Sequence, residues 1–242
     1  MKAIVLTCDQ YRPFAVHMME CYSEAWPEHP FTFVLPYTSK PGLEGGGKTW
    51  VRTGSSFRSR VLELLDPLPD AEWIYWCIDD KYPLRLEVSR FSAALKFLDS
   101  EDWRGVSGLC LCRGRTWVKA PAVSLQPCEW QGFDERTTWN HIWLHQFLRV
   151  GVLRYLFSHF SEDIMTGKDL DRAKFQVPKR RDHRLLVPRQ GALVLGESTH
   201  RGKITKNCHR AMEAKGYSIP DWAMPPTPDE ITIGIWNASS GD

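Results

Sequence analysis

Long apolar runs, paired cysteines and surplus charge are all scarce in this chain of 242 residues, and each scarcity removes a class of explanation. The opening run in MKAIVLTCD is too short for a secretory signal. Nothing later approaches the roughly 18 uninterrupted apolar residues of a membrane-spanning helix. No transmembrane segment is expected, and a soluble, cytoplasmic protein is. The seven cysteines, Cys8, Cys21, Cys77, Cys110, Cys112, Cys128 and Cys208, are odd in number and include no Cys-x-x-Cys pair. That argues against a disulfide framework and a thiolate zinc centre, and makes reduced thiols the expectation. With 31 basic against 29 acidic residues the net charge is +2, so no whole-chain field points to nucleic acid or to an acidic membrane.

Tandem repeats are absent too, and the only low-complexity feature is the glycine triplet Gly45 to Gly47. The stretch GLEGGGKT, Gly42 to Thr49, satisfies the bare phosphate-loop pattern. No clear strand leads into it, Pro41 precedes it and Trp50-Val51 follow, which is a poor setting for a helix start. The match reads as chance within a Gly-rich loop over 38–55.

What is present is 43% hydrophobic residues, ample for a core, arranged as alternating strands and helices. The most informative stretch is WIYWCIDDKYP, Trp73 to Pro83. Its six residues Trp73 to Ile78 read as a strand buried on both faces, ending in Asp79, Asp80 and Lys81. Ligands of open α/β sheets bind outside the carboxyl ends of strands, so this acid pair is a candidate cation or phosphate-sugar site. Ala3 to Thr7 forms a first strand. Pro13 opens a helix whose stripe Phe14, Met18 and Tyr22 faces inward until Pro27 ends it, and Phe31 to Leu35 is the next strand. The first turn of this unit carries Thr7, Cys8 and Asp9; Asp9 is either a ligand-binding carboxylate or a helix N-terminal one.

Ser55 caps a helix to about Leu65, with Phe57, Val61, Leu64 and Leu65 inward and Arg58 and Arg60 outward. Arg52 or Arg58 is placed to reach a diphosphate, which guanidinium matches bidentately. Glu87 to Leu98 reads as a helix and Val106 to Cys112 as a strand, after which 113–138 loses periodicity. Trp139 to Phe160 has a helical period and predicts two helices hinged near Gly151. There His141 and His145, four apart, are either a metal pair or part of a polar-aromatic wall with Trp139, Trp143 and Gln146. The charge run Lys179 to Arg184 is a solvated loop or an anion site, and Leu185 to Leu195 includes a strand. Thr205 and Gly216 sit where the caps of a helix over 206–215 belong, so Arg201-Gly202-Lys203 lies ahead of its N-terminus as a candidate phosphate site. Ile231 to Ile235 is a candidate strand in the tail.

The strand and turn AIVLTCD and the strand ending CIDDKYP resemble glycosyltransferases of the GT-A fold, whose acidic Asp-x-Asp motif follows a central strand. The late GESTHRGKITKNC segment is similar to C-terminal turns of bacterial capsule and polysaccharide transferases. The resemblance implies an α/β fold, a Rossmann-like central mostly parallel sheet flanked by helices, with a helical excursion after about residue 113. It implies one domain over 1–242, its nucleotide-binding half at 1–112 and its acceptor half at 113–242. Its partners would be a nucleotide-sugar donor and a glycan or other hydroxyl acceptor, with no nucleic acid. Asp80, with Asp79, would hold Mn2+ or Mg2+, and Thr7, Asp9, Arg58, Asp79, Arg201 and Lys203 would contact the donor. General-base candidates are Asp134, Glu162, Asp163 and Glu197, with spacing favouring Glu162 or Asp163. The motif departs from strict Asp-x-Asp, since Lys81 follows Asp80, and that leaves room for a metal-independent enzyme in which Lys81 neutralises charge. A sugar nucleotidyltransferase would share the fold but carry a Gly-rich signature after the first strand, where this chain has TCDQYRP. A non-catalytic carbohydrate-binding module is the non-enzyme alternative, supported by 11 tryptophans.

Overall fold

The structure is a computed structural model that describes residues 1–43, 45–100, 105–112, 118–119, 133–137, 139–197, 199–200, 203–224 and 226. The elements in chain order begin with β1 (Lys2–Leu6), α1 (Arg12–Ala25), β2 (Thr32–Tyr37), β3 (Lys48–Arg52), α2 (Phe57–Leu65), β4 (Trp73–Ile78) and β5 (Lys81–Leu86). Then follow α3 (Val88–Leu98), β6 (Gly108–Leu109), β7 (Val118–Lys119), β8 (Phe133–Arg136), β9 (Gln146–Arg149), α4 (Val150–Ser158) and α5 (Gly167–Ala173). The chain closes with β10 (Leu185–Pro188), β11 (Leu193–Glu197), β12 (Thr199–His200), β13 (Lys203–Ile204) and α6 (Lys206–Lys215).

A nine-stranded sheet in the order β3-β2-β1-β4-β9-β6-β10-β8-β7 is the scaffold. All its strands run one way except β8 and β9. Parallel strands need crossovers, and α1 and α2 supply them on opposite faces. One face is packed by α1, α3 and α6 through residues such as Met18, Tyr22, Phe91 and Met212. The other is packed by α2 and α4 through Val61, Leu64, Leu153 and Phe157. β4 lies between them with all six of its side chains buried, which is why its sequence has no polar alternation. Pairing with β11 alone, β5 leaves the main sheet and forms a two-stranded ladder that carries the C-terminal segment.

Several expectations need correction. The 38–55 loop contains β3, which pairs in parallel with β2. Its glycine triplet makes the preceding turn, because Gly45, Gly46 and Gly47 take φ of 99°, 59° and 72°, a region side chains disfavour. Lys48 opens a strand and not a helix, so the phosphate-loop pattern has no phosphate-loop geometry. Residues 139–145 are irregular and 146–149 form β9, so only the second predicted helix exists, beginning at Val150. The pairing Trp76↔Gln146 through Trp73↔Arg149 overrides the helical period of this short segment. The helix cap is Ser56, whose hydroxyl accepts from Ser59 N at 2.9 Å, and not Ser55. After residue 113 the described chain contains strands β7 to β10 as well as helices α4 and α5. The candidate strand at 231–235 lies outside the described residues.

Candidate functional site

β1 and β4 are parallel neighbours with Leu6 opposite Ile78, so the residues after each emerge at one edge of the sheet. Asp79 N donates to Leu6 O at 3.3 Å and joins the two tips. Its carboxylate accepts from the Thr7 hydroxyl and from the Asp80 amide. Burial, and next the adjacent Asp80 charge, push the Asp79 carboxyl well above the usual range; Thr7 and Lys81 oppose this without reversing it. Lys81 opens β5 opposite Glu197 and is buried, its Nζ 3.3 Å from Asp80 Oδ1. The Lys81 charge also bears on His145 and on Cys208. One ammonium therefore sits at the centre of the corner.

A second cation faces the same tips. Arg60 is 8% exposed, donates from Nη2 to Ser55 O at 2.7 Å, and lies over the Phe57 ring at 5.5 Å. Burial pulls its pKa down, while the charges of Cys8, Asp79 and Asp9 hold it up. This corrects the outward placement expected for Arg60, although the sequence contained the signal. Phe57, Arg60, Val61 and Leu64 follow the i, i+3, i+4, i+7 period of one helix face, so Arg60 belongs to the inner stripe. Arg58 pairs with Glu162, its Nη1 2.8 Å from Glu162 Oε1.

The tip of β1 is differently employed. Asp9 accepts from Thr38 N at 3.1 Å, Ser39 N at 2.9 Å and Ser39 Oγ at 2.5 Å, and pairs with Arg12 Nη2 at 3.1 Å. Although burial works to raise it, these bonds hold its pKa at about 2. Asp9 thus clamps the β2–β3 loop, and it does so from the first turn of a short 3-10 helix, Asp9–Tyr11, that leads into α1, the helix N-terminal placement the sequence allows.

The C-terminal segment is brought to the β4 tip by β5 and β11. A Cβ on Gly196 would lie 2.7 Å from a Leu84 methyl and 2.9 Å from Cys208 Sγ, so glycine lets β11 close onto β5 and α6. Cys208 stands in the first turn of α6, where burial first, then the Asp80 charge, push its thiol up to about 12; Lys81 opposes. Thr205 caps this helix by accepting from Cys208 N at 3.4 Å, and Gly216 ends it at φ 72°, as the sequence predicts. Lys203 is exposed on β13, while Arg201 and Gly202 lie outside the described residues.

No family model matches this chain. No curated protein matches it either. Among solved structures it is similar to an active-site mutant of LgtC, with TM-score 0.42 and 10% identity over 93% of this chain and 81% of that one. It is similar to TarS of S. aureus at TM-score 0.45 and 9% identity, covering 88% of this chain and 38% of that one. The cytidylyltransferase IspD of Francisella tularensis aligns at TM-score 0.40 and 11% identity over 90% of this chain and 99% of that one. Likenesses this distant carry no argument about reaction or ligand.

The three general-base candidates with described side chains each have partners of their own. Asp134 lies on β8, 3.3 Å from Arg189 Nε. β9, β6 and β10 separate that strand from β4, a lateral offset of about 19 Å at normal strand spacing. Glu162 binds the Ser56 hydroxyl and Arg58; the Ser56 bond chiefly, then Arg58, lower its pKa, which makes it a poor proton acceptor. Asp163 is exposed and meets Ser161 Oγ at 3.4 Å within its own turn. Of Glu197, the fourth candidate, the backbone register sets it opposite Lys81. The His141 and His145 pair is not a metal site. His145 is fully buried and hydrogen-bonded through both ring nitrogens, and no cluster of three metal-ligating side chains occurs among the described residues.

Asp79 and Asp80 suit a hard divalent cation, which takes one or two carboxylates and completes its shell with phosphate oxygens and water. Burial first, and then the Asp80 charge, disfavour a charged Asp79, and added positive charge would offset both, as Lys81 does in part already. A cavity of about 620 Å³ lies elsewhere, among Asp70, Ser107, Arg149, Gly151, Arg180 and His183. Its arginines are engaged, Arg180 with Asp182 at 2.9 Å and Arg149 over the Trp73 ring at 4.3 Å. Charge and strand-end position, and not concavity, single out the β4 tip.

Proposed function

We propose that this chain transfers a sugar from a nucleoside-diphosphate sugar to a hydroxyl acceptor at the carboxyl edge of β1 and β4. The observation that carries the reading is the meeting of two buried cations, Arg60 and Lys81, with the acid pair Asp79–Asp80 at one sheet edge. A diphosphate leaving group needs concentrated positive charge, and a sugar needs carboxylates to accept from its hydroxyls.

In the transfer, the bond between the sugar carbon and the diphosphate oxygen breaks with its electron pair going to the diphosphate. The acceptor oxygen bonds to that carbon and gives up its proton. Arg60 donates to the developing diphosphate charge, and Lys81 adds a fixed ammonium beside it. Asp79, with Thr7 behind it, accepts from ribose or sugar hydroxyls. Asp80 and Asp79 are the residues that would hold Mn2+ or Mg2+, and the ion when bound supplies further neutralisation of the diphosphate. Among the four candidate bases, the register favours Glu197 as the acceptor of the hydroxyl proton.

The reading is tested by measuring nucleoside diphosphate release from UDP-, GDP- and ADP-sugars with and without glycan acceptors. Release that depends on an acceptor supports glycosyl transfer. Pyrophosphate release from a nucleoside triphosphate and a sugar phosphate would replace it with nucleotidyl transfer. Binding of free glycans with no nucleotide turnover would replace it with a carbohydrate-binding role.

A further inference from the structure

A chain of buried hydrogen bonds ends directly beneath the acid pair, and it concerns residues to which the proposed chemistry assigns no part. Tyr22 on α1, Tyr75 on β4 and His145 before β9 are all 0% exposed. Tyr75 Oη lies 2.8 Å from Tyr22 Oη, Tyr22 Oη lies 2.7 Å from His145 Nδ1, and His145 Nε2 lies 3.0 Å from Ile78 O.

The end of the chain fixes its direction. A carbonyl oxygen only accepts, so His145 carries its proton on Nε2 and donates to Ile78 O. Nδ1 is then an acceptor and must receive the Tyr22 hydroxyl proton, which leaves Tyr22 Oη to accept from Tyr75. Because the chain terminates on a carbonyl, it cannot relay a proton to a ligand.

The sheet explains why Ile78 needs this partner. β9 pairs with β4 only from Trp73 to Trp76, and the residues before Gln146 leave the ladder. The Ile78 carbonyl, the last before Asp79, thus receives an imidazole N–H where the β9 ladder has ended. Buried polar groups must be satisfied, and a bond from a rigid ring also fixes the direction of the peptide leading into Asp79. Tyr22 stacks on His145 at 5.7 Å, and Phe31 stacks on Tyr75 at 4.6 Å, which locks these rings in turn.

We infer that His145, held by Tyr22 and Tyr75, is a positioning residue that sets the Ile78–Asp79 peptide and so aims the acid pair at the ligand. This rests on the sugar-nucleotide reading for its substrate but not for its geometry. The test compares His145→Phe, which keeps a ring but loses both nitrogens, with His145→Gln, whose amide can still donate to Ile78 O. Leu156→Ala on α4 serves as a control for general loss of stability. Two readouts apply, below each variant's melting transition: backbone hydrogen exchange at Asp79 N, and kcat and KM for sugar transfer.

His145→Phe is expected to speed Asp79 exchange by more than Leu156→Ala does and to lower kcat about 100-fold with little change in KM, as misplacement near 1 Å does. His145→Gln should recover most of both losses. The inference is overturned if Asp79 exchange and kcat in His145→Phe match those of Leu156→Ala, or if His145→Gln is no better than His145→Phe. Should the wild-type chain transfer no sugar, the function reading fails while the exchange comparison still decides the positioning role.

Discussion

The tips of β1 and β4 are neighbours in one sheet, and both carry carboxylates, yet their chemistry is opposed. At β1, Asp9 is saturated by Thr38, Ser39 and Arg12 and is held at about 2. At β4, Asp79 is driven upward by burial and by Asp80, with Arg60 and Lys81 close by. The carboxylate whose lone pairs are used is part of the scaffold. The strained pair is the one with something to gain from a ligand. Strand-end position alone therefore does not distinguish the two tips; the burial and charge around each carboxylate do.

The largest expected effect is at β4. Asp80→Ala should cut sugar transfer on the order of 100-fold or more in kcat, with a melting temperature near that of the wild type. Asp9→Ala should instead lower the melting temperature and raise KM through loosening of the β2–β3 loop. If Asp9→Ala proves the more damaging to kcat, the contrast between the tips is wrong. Next in size, Arg60→Met removes charged hydrogen bonds to the diphosphate and should weaken nucleoside diphosphate binding roughly 10- to 100-fold by calorimetry. Arg58→Met, two positions away, should leave binding unchanged.

This pair of arginines also illustrates what was legible in the sequence. β1, α1 with its Phe14, Met18 and Tyr22 stripe, β4, and the caps Thr205 and Gly216 follow from local pattern, because each is settled by residues near it in the chain. Arg60 was readable from its place in the helical period, but a charged residue in an inner stripe is easily discounted. β5 and β9 were not readable. Lys81–Leu86 contains Pro83 and charges at both its start and Arg85, and is a strand only because β11 lies beside it. Gln146–Arg149 has a helical neighbourhood and is a strand only because β4 and β6 offer edges. Of the site, the acid pair was legible, while the separation of Asp134 from the β4 tip depends on strand order, which no local pattern encodes.

A smaller effect sharpens the comparison through pH. Asp9 has its folded pKa lowered to about 2 from 3.8, so its bonds stabilise the fold above about pH 4 and lose that effect as pH falls toward 2. Asp9→Asn should therefore cost about 1 kcal/mol at pH 7, after allowance for solvent screening, and the gap from wild type should close in thermal melts between pH 4 and 2. A gap that stays constant through that window would mean that the Asp9 charge is not what clamps the loop. The smallest effect is at Glu162, where Glu162→Gln should leave kcat within about twofold of wild type, since a surface ion pair contributes little. A large loss of kcat there would return Glu162 to the role of general base.

The central claim is that the β4 tip, with its two cations, is where a nucleoside diphosphate binds. Calorimetric titration of UDP, GDP and CMP into the wild-type chain, Asp80→Ala and Arg60→Met, each with and without Mn2+, tests it directly. The account predicts that a diphosphate binds the wild type better than CMP does, that Arg60→Met weakens it in either condition, and that Asp80→Ala removes any gain from Mn2+. Binding of no nucleotide under any condition, or equal binding by all three proteins, would contradict it.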